Sequence, residues 1–163
     1  MKILKDLIDK KYIFVSEAKN KEEVFEEVYK TLYKDGLVTK EFLDMVKERE
    51  ENYPTGMDMS VVDGIDYNIA IPHTESYAVK TSKVIPIQLK EEISFNNMIE
   101  PDQELKVKFL FLILNDGTDE QTDILAKIMD FVTKTEDIND LFEIYDRDKI
   151  YSFIKNNFEK EGI

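Results

Sequence analysis

Cysteine is absent from the 163-residue chain, and with it go disulfides, thiolate metal sites and cysteine nucleophiles. A single histidine removes His-rich zinc sites as well. The four prolines and five glycines do not gather into a linker, and no internal repeat or low-complexity block interrupts the chain. No run approaches the ~20 apolar residues that a membrane span requires. The longest, Phe109 to Leu114, is the size of a strand. The stretch from Met1 to Asp9 is broken by Lys2, Lys5, Asp6 and Asp9, so it lacks the continuous apolar region of a signal peptide. Positive charge is also scarce: 22 Lys and Arg face 35 Asp and Glu, a formal charge of −13. Nucleic-acid binding draws most of its affinity from Lys and Arg neutralising phosphates, so that class is excluded, and anionic membrane surfaces are disfavoured. The expectation is a soluble, acidic, cytoplasmic protein.

What is present is enough apolar material for one core, at 42% hydrophobic and 11% aromatic residues, and the length fits one domain, placed at 1–163. Val24, Phe25, Val28, Tyr29, Leu32 and Tyr33 share one face of a helix. Asn20 with Glu23 resembles a capping pair, and Asp35-Gly36 closes the helix with a left-handed turn. Thr39 is placed to cap a second helix, in which Phe42, Leu43, Val46 and the stem of Arg49 share one side. The two helices are expected to form a hairpin. A turn-forming stretch, Asn52-Tyr53-Pro54-Thr55-Gly56, follows, with irregular chain continuing through Asp63-Gly64.

Asn68 to Pro72 reads as a short strand leading into His73. Val84 to Leu89 reads as another, with Pro86 suggesting an edge or a bulge, and Ile93 to Phe95 as a weak third. Val107 to Leu114 is apolar at odd and even positions alike, the mark of a central strand buried on both faces. The helical period returns from Asp119, with Ile124, Leu125, Ile128, Met129, Phe131 and Val132, and again from Arg147 to Phe158. Helices before, between and after the strands give an α/β class: one mixed sheet flanked by helices on both faces.

The strongest chemical signal is Ile69-Ala70-Ile71-Pro72-His73-Thr74, because a strand ending in Pro-His presents one imidazole at a loop mouth in a fixed direction. With an ordinary pKa near 6.5, such a ring is largely neutral at neutral pH and can attack phosphorus or a carbonyl carbon. A hydrogen-bonded structural histidine is the alternative reading. No Gly-x-Ser-x-Gly elbow supports a serine hydrolase. The second signal is Arg49 at a helix end, followed by the Pro54-Thr55-Gly56 turn. A guanidinium fork fits phosphate oxygens, and Thr55 with the amides around Gly56 offers further donors. A surface arginine paired with Glu50, Glu51 or another carboxylate remains open beside it. Asp58, Asp63 and Asp66 lack the spacing of a calcium loop and read as turn formers. The aspartates from Asp137 to Asp148 read as helix caps and a solvated face. No metal or cofactor motif is present.

Taken together and in order, Arg49-Glu50, Pro54 to Gly56, Ile69 to His73, Ile93 to Phe95, the strand from Val107 to Leu114 and the helix after it resemble the fructose/mannitol-type IIA domain of the phosphoenolpyruvate-dependent sugar phosphotransferase system (PTS). Asn52 to Gly56 and Ile71 to Glu75 are most similar to its galactitol-specific branch. The resemblance implies a phosphohistidine intermediate at His73, stabilised by Arg49. It also implies a phosphoryl donor, the carrier protein HPr, and an acceptor, a cysteine of a IIB domain, which phosphorylates sugar entering through a membrane IIC component. The IIA domain itself would not bind sugar and would need no cofactor. A regulatory module of the same fold, reporting phosphorylation state to a transcription or transport partner, is the competing implication. Many relatives carry a second active-site histidine where a gapless match puts Asp119, with Thr118, Glu120 or Thr122 there if the loop is shifted. Tyr53, Met57 and Tyr77 are expected around His73 as a docking surface, and the path of residues 57–67 decides whether Arg49 reaches His73.

Overall fold

The computed structural model describes residues 3–161. Met1, Lys2, Gly162 and Ile163, the outermost ends of the expected domain, lie outside the described residues. Five strands form one mixed sheet: β1 (Phe14–Ser16), β2 (Gly56–Met57), β3 (Asn68–Ala70), β4 (Lys83–Asn96) and β5 (Glu104–Leu114), in the order β1-β4-β5-β3-β2. The β4–β5 and β2–β3 pairs are antiparallel, and β1–β4 and β3–β5 are parallel.

The doubly apolar reading of β5 is realised residue by residue. Phe109, Phe111 and Ile113 enter one core, with residues of α1 (Leu4–Leu7), α4 (Gln121–Lys134), α5 (Ile138–Leu141) and α6 (Arg147–Glu161). Leu110, Leu112 and Leu114 enter the other, with α2 (Lys21–Lys34) and α3 (Phe42–Asn52). Alternation along a strand sends successive side chains to opposite faces, so one apolar strand serves two helical layers. Edge-to-face contacts such as Phe131–Phe158, with centroids 4.7 Å apart, tie the larger core together. Truncating one of these rings to alanine costs about 3–5 kcal/mol.

The helix ends follow local chemistry. Asn20 Oδ1 accepts the Glu23 amide at 2.9 Å, and Glu23 in turn accepts the Lys19 amide. Gly36, at φ +76°, closes α2, with Leu37 N–H donating to the Leu32 carbonyl. That is the C-terminal turn expected from Asp35-Gly36. Asp146 accepts the Lys149 amide at the start of α6, and Asp58 accepts Ser60 N–H and O–H, as turn-forming aspartates should.

Four expectations change. Thr39 does not cap α3 through its hydroxyl; its carbonyl accepts the Phe42 amide instead. The two strands expected at 84–89 and 93–95 are one strand, β4, with a register shift between Gln88 and Ile93 where residues 90–92 are exposed. Pro86 sits in the interior of the sheet order, one residue beyond the stretch paired with β1, so the edge it requires is local. α1, β1, β2 and α5 were too short, at two to four residues, to produce a recognisable period.

Candidate active site

The fold delivers His73 on an extended continuation of β3. Ile69 and Ala70 pair with Phe109 and Leu110 of β5, and the chain stays beside β5 through Pro72, whose carbonyl accepts the Ile113 amide at 2.9 Å. Pro72 holds Ile71 extended. The imidazole is then fixed by its own strand, with Nδ1 2.9 Å from the Ile71 carbonyl. A carbonyl oxygen only accepts, so Nδ1 carries the proton and Nε2 is left with a free lone pair. The ring is half-buried. Burial is the main force holding its pKa below the ordinary 6.5; the hydrogen bond to Ile71 opposes this, the Arg49 charge lowers it further, and Glu75 raises it.

Arg49 is one of the two charges that set the basicity of the ring. It sits in the last turn of α3, where its carbonyl accepts the Tyr53 amide, and its guanidinium pairs with Glu75 and lies 5.0 Å from the centre of the Tyr53 ring. Its Nε is buried without a hydrogen-bond partner. The partner is thus Glu75, two residues after His73, and not Glu50 or Glu51. Beside it opens a cleft of about 210 Å³ lined by Met45, Glu48, Arg49, Asn52, Tyr53, Glu75 and Tyr77. Tyr53 and Tyr77, 66% and 74% exposed, form its rim. Met57 does not join them; it lines a separate groove with Met59, Val61, Ile99 and Met129.

Residues 57–67 are held by partners on other elements and by Asn68. Met59 N–H donates to Asn68 Oδ1, Asn139 of α5 bonds both Gly64 and Asp66, and the Tyr67 hydroxyl donates to Glu143. Gly56 begins this excursion, and a Cβ there would lie 2.5 Å from the Asn96 carbonyl oxygen, so only glycine fits against β4.

Thr55 departs from its expected role. It is 1% exposed, and its N–H and hydroxyl both donate to the Glu50 carboxyl at 2.7 Å, leaving neither for a phosphoryl group. Glu50 is itself buried at 2% exposure, and desolvation pushes its carboxyl up to about 7 against the two Thr55 hydrogen bonds and the Lys21 charge. A signal for it existed: Phe42, Val46 and Glu50 recur at i, i+4 and i+8 and are the buried residues of α3, so a carboxylate stands on an apolar stripe. Asp119 lies in the loop before α4. Asn115 bonds its carbonyl, its Oδ2 is buried without a hydrogen-bond partner, and it is not among the charges acting on His73.

A mixed sheet between two helical layers, with an imidazole beyond the end of one strand and an arginine in the last turn of a helix, is a single-domain α/β protein. Residues 6–157 match the family model "Phosphoenolpyruvate-dependent sugar phosphotransferase system, EIIA 2", and the chain belongs to this family of PTS phosphotransfer components. Solved structures share the fold. The mannitol-specific cryptic phosphotransferase enzyme IIA CmtB of Escherichia coli superposes with a TM-score of 0.69 at 13% identity, covering 95% of this chain and 99% of that one. Enzyme IIAMTL of E. coli, solved in complex with phosphorylated enzyme IIBMTL, gives 0.67 at 20% identity over 91% and 97% of the chains. Nitrogen regulatory protein IIA-Ntr of Neisseria meningitidis gives 0.64 at 19% over 92% and 97%. No curated protein matches the chain in sequence. Among the described residues no helix is long and apolar enough to cross a membrane, and no cluster of His, Asp or Glu is placed to hold a metal ion.

Proposed function

We propose that the protein is the IIA relay of a sugar phosphotransferase system, with His73 as phosphoryl acceptor and donor. The observation that carries this reading is the Nδ1 hydrogen bond to Ile71, which leaves a neutral Nε2 nucleophile in reach of the Arg49 charge. In the first step the Nε2 lone pair attacks the phosphorus of phospho-HPr. The new N–P bond forms as the donor's N–P bond breaks, and the donor imidazole leaves with that electron pair. In the second step a IIB cysteine thiolate attacks the same phosphorus, and His73 leaves as a neutral ring. Such transfers need in-line positioning and positive charge near the equatorial oxygens, with little other chemistry. Arg49 supplies that charge, and Glu75 is its partner while no phosphoryl group is bound. The sugar enters through IIC, is phosphorylated by IIB and never meets this domain. The likeness of Asn52 to Gly56 and Ile71 to Glu75 to the galactitol branch makes a galactitol-type IIB the first acceptor to try. Asp119 is assigned no chemical step.

The test is incubation with phosphoenolpyruvate, enzyme I and HPr, read by intact mass. A gain of one phosphoryl group that disappears in His73→Ala is expected. A gain that persists in folded His73→Ala, or none in the wild type while HPr is phosphorylated, overturns the relay. Onward transfer to IIB separates transport from a regulatory module that binds its partner without passing the group on.

A further inference from the structure

Glu50 is a buried carboxyl that the relay chemistry leaves unused. It follows Arg49 directly in α3, and its two oxygens take the N–H and hydroxyl of Thr55, each at 2.7 Å. Thr55 is bonded onward: its carbonyl accepts the Ile71 amide at 3.3 Å. The Ile71 carbonyl is the group that bonds His73 Nδ1 at 2.9 Å. Hydrogen bonds linked through the residues Thr55 and Ile71 therefore connect the helix that bears Arg49 to the imidazole. Glu50 and Thr55 are almost fully buried, so water cannot replace a lost bond there.

We propose that Glu50 is a positioning residue for phosphoryl transfer, which fixes the direction of the Ile71 carbonyl, and so the His73 tautomer, through Thr55. The inference rests on the relay reading given above. Glu50 itself touches neither the ring nor the transferred group. Its action is geometric: with Thr55 held, the Ile71 N–H is anchored from the β2 side, which restrains the backbone of Ile71 and so the direction of its carbonyl, and the ring presents Nε2. With Thr55 released, Ile71 loses that anchor and the ring gains access to the tautomer that puts the proton on Nε2, which has no lone pair for phosphorus.

The chemistry of the pair distinguishes hydrogen bonding from charge. A neutral acid can accept Thr55 N–H on one oxygen and donate to the Thr55 hydroxyl from the other, and glutamine can do the same with its carbonyl and NH₂. Leucine fills similar space and can do neither. Steady-state transfer from phospho-HPr should therefore show kcat down about 10-fold or more in Glu50→Leu, with KM for phospho-HPr unchanged, because a small misplacement of the reacting atom is costly. Glu50→Gln should restore most of the lost rate. Nitrogen-15 NMR of the His73 ring should show one Nδ1–H tautomer in the wild type and Glu50→Gln and a mixture in Glu50→Leu. Thr55→Val, which deletes only the hydroxyl, gives a milder variant should Glu50→Leu fail to fold, and it should shift the same ring populations.

Folded Glu50→Leu and Thr55→Val proteins with wild-type kcat and a single wild-type tautomer would overturn the proposal. So would equal loss in Glu50→Gln and Glu50→Leu, which would make the carboxylate charge the active property. A wild type that takes no phosphate from phospho-HPr brings down the relay and the transfer role of Glu50 together. A phosphorylated wild type with insensitive Glu50 variants brings down the positioning alone.

Discussion

Replacing Glu50 by glutamine should change how the stability of the protein depends on pH, in a direction that its surroundings dictate. Burial raises the carboxyl from its ordinary 4.5 to about 7 in the folded chain. A group that binds its proton more tightly folded than unfolded stabilises the fold while protonated. That stabilisation is complete below about pH 4.5 and is lost as pH rises through about 7. At about 1.36 kcal/mol per pH unit, the rise corresponds to about 3 kcal/mol. Glutamine reproduces the hydrogen bonds of the neutral acid with Thr55 and cannot ionise. Urea unfolding of the two proteins should therefore give similar free energies near pH 4.5, and near pH 8 the Glu50→Gln protein should be the more stable by about 3 kcal/mol. His73 adds a slope of the opposite sign. Its lowered pKa gives stability present above 6.5 and lost as pH falls, but it is common to both proteins and cancels in the difference. Parallel profiles from pH 4.5 to 8, or a glutamine variant that loses ground as pH rises, would refute the reasoning.

NMR titration of His73 should give a midpoint below 6.5, lower still in Glu75→Gln and higher in Arg49→Met, because the two charges act on the ring with opposite signs. Arg49→Ala should slow transfer to a folded protein far more than Asp119→Asn does, as judged by initial rates from phospho-HPr. Gly56→Ala should lower stability by about 1–3 kcal/mol in urea melts, since its Cβ would meet the Asn96 backbone at 2.5 Å. Raising salt should slow association with a donor whose docking face is basic, because a chain of net charge −13 attracts it over distance. Stopped-flow rates at rising ionic strength test this.

The parts of the fold that were legible in the sequence are those written in periods long enough to count. α2, α4 and α6 declared themselves by repeated apolar spacing, and β5 by having no alternation. β1, with three residues, and α5, with four, are formed by the partners they pack against, and nothing local could announce them. The placement of His73 was legible because Pro-His after branched apolars constrains backbone and side chain together, and that of Arg49 because it closes a helix before a turn. Glu50 and Glu75 were not read as site residues. Their roles depend on which carboxylate the folded chain brings to Thr55 and to Arg49, and the acidic residues between Glu48 and Glu75 look equivalent in the sequence. Thr55 was misread for the same reason: a hydroxyl in a turn looks available until the burial of its neighbour is known.

The atom behind the imidazole has a consequence for the energetics of a carrier. His73 leans on a peptide oxygen, a neutral dipole, where many reactive histidines lean on a carboxylate. A full negative charge there would make the ring more basic, tighten its hold on phosphorus and turn the intermediate into a resting place. A peptide carbonyl fixes the orientation while adding little electron density, so the proposed phospho-ring keeps the high transfer potential with which it was made. In a chain of handovers, that choice favours a link that lets go.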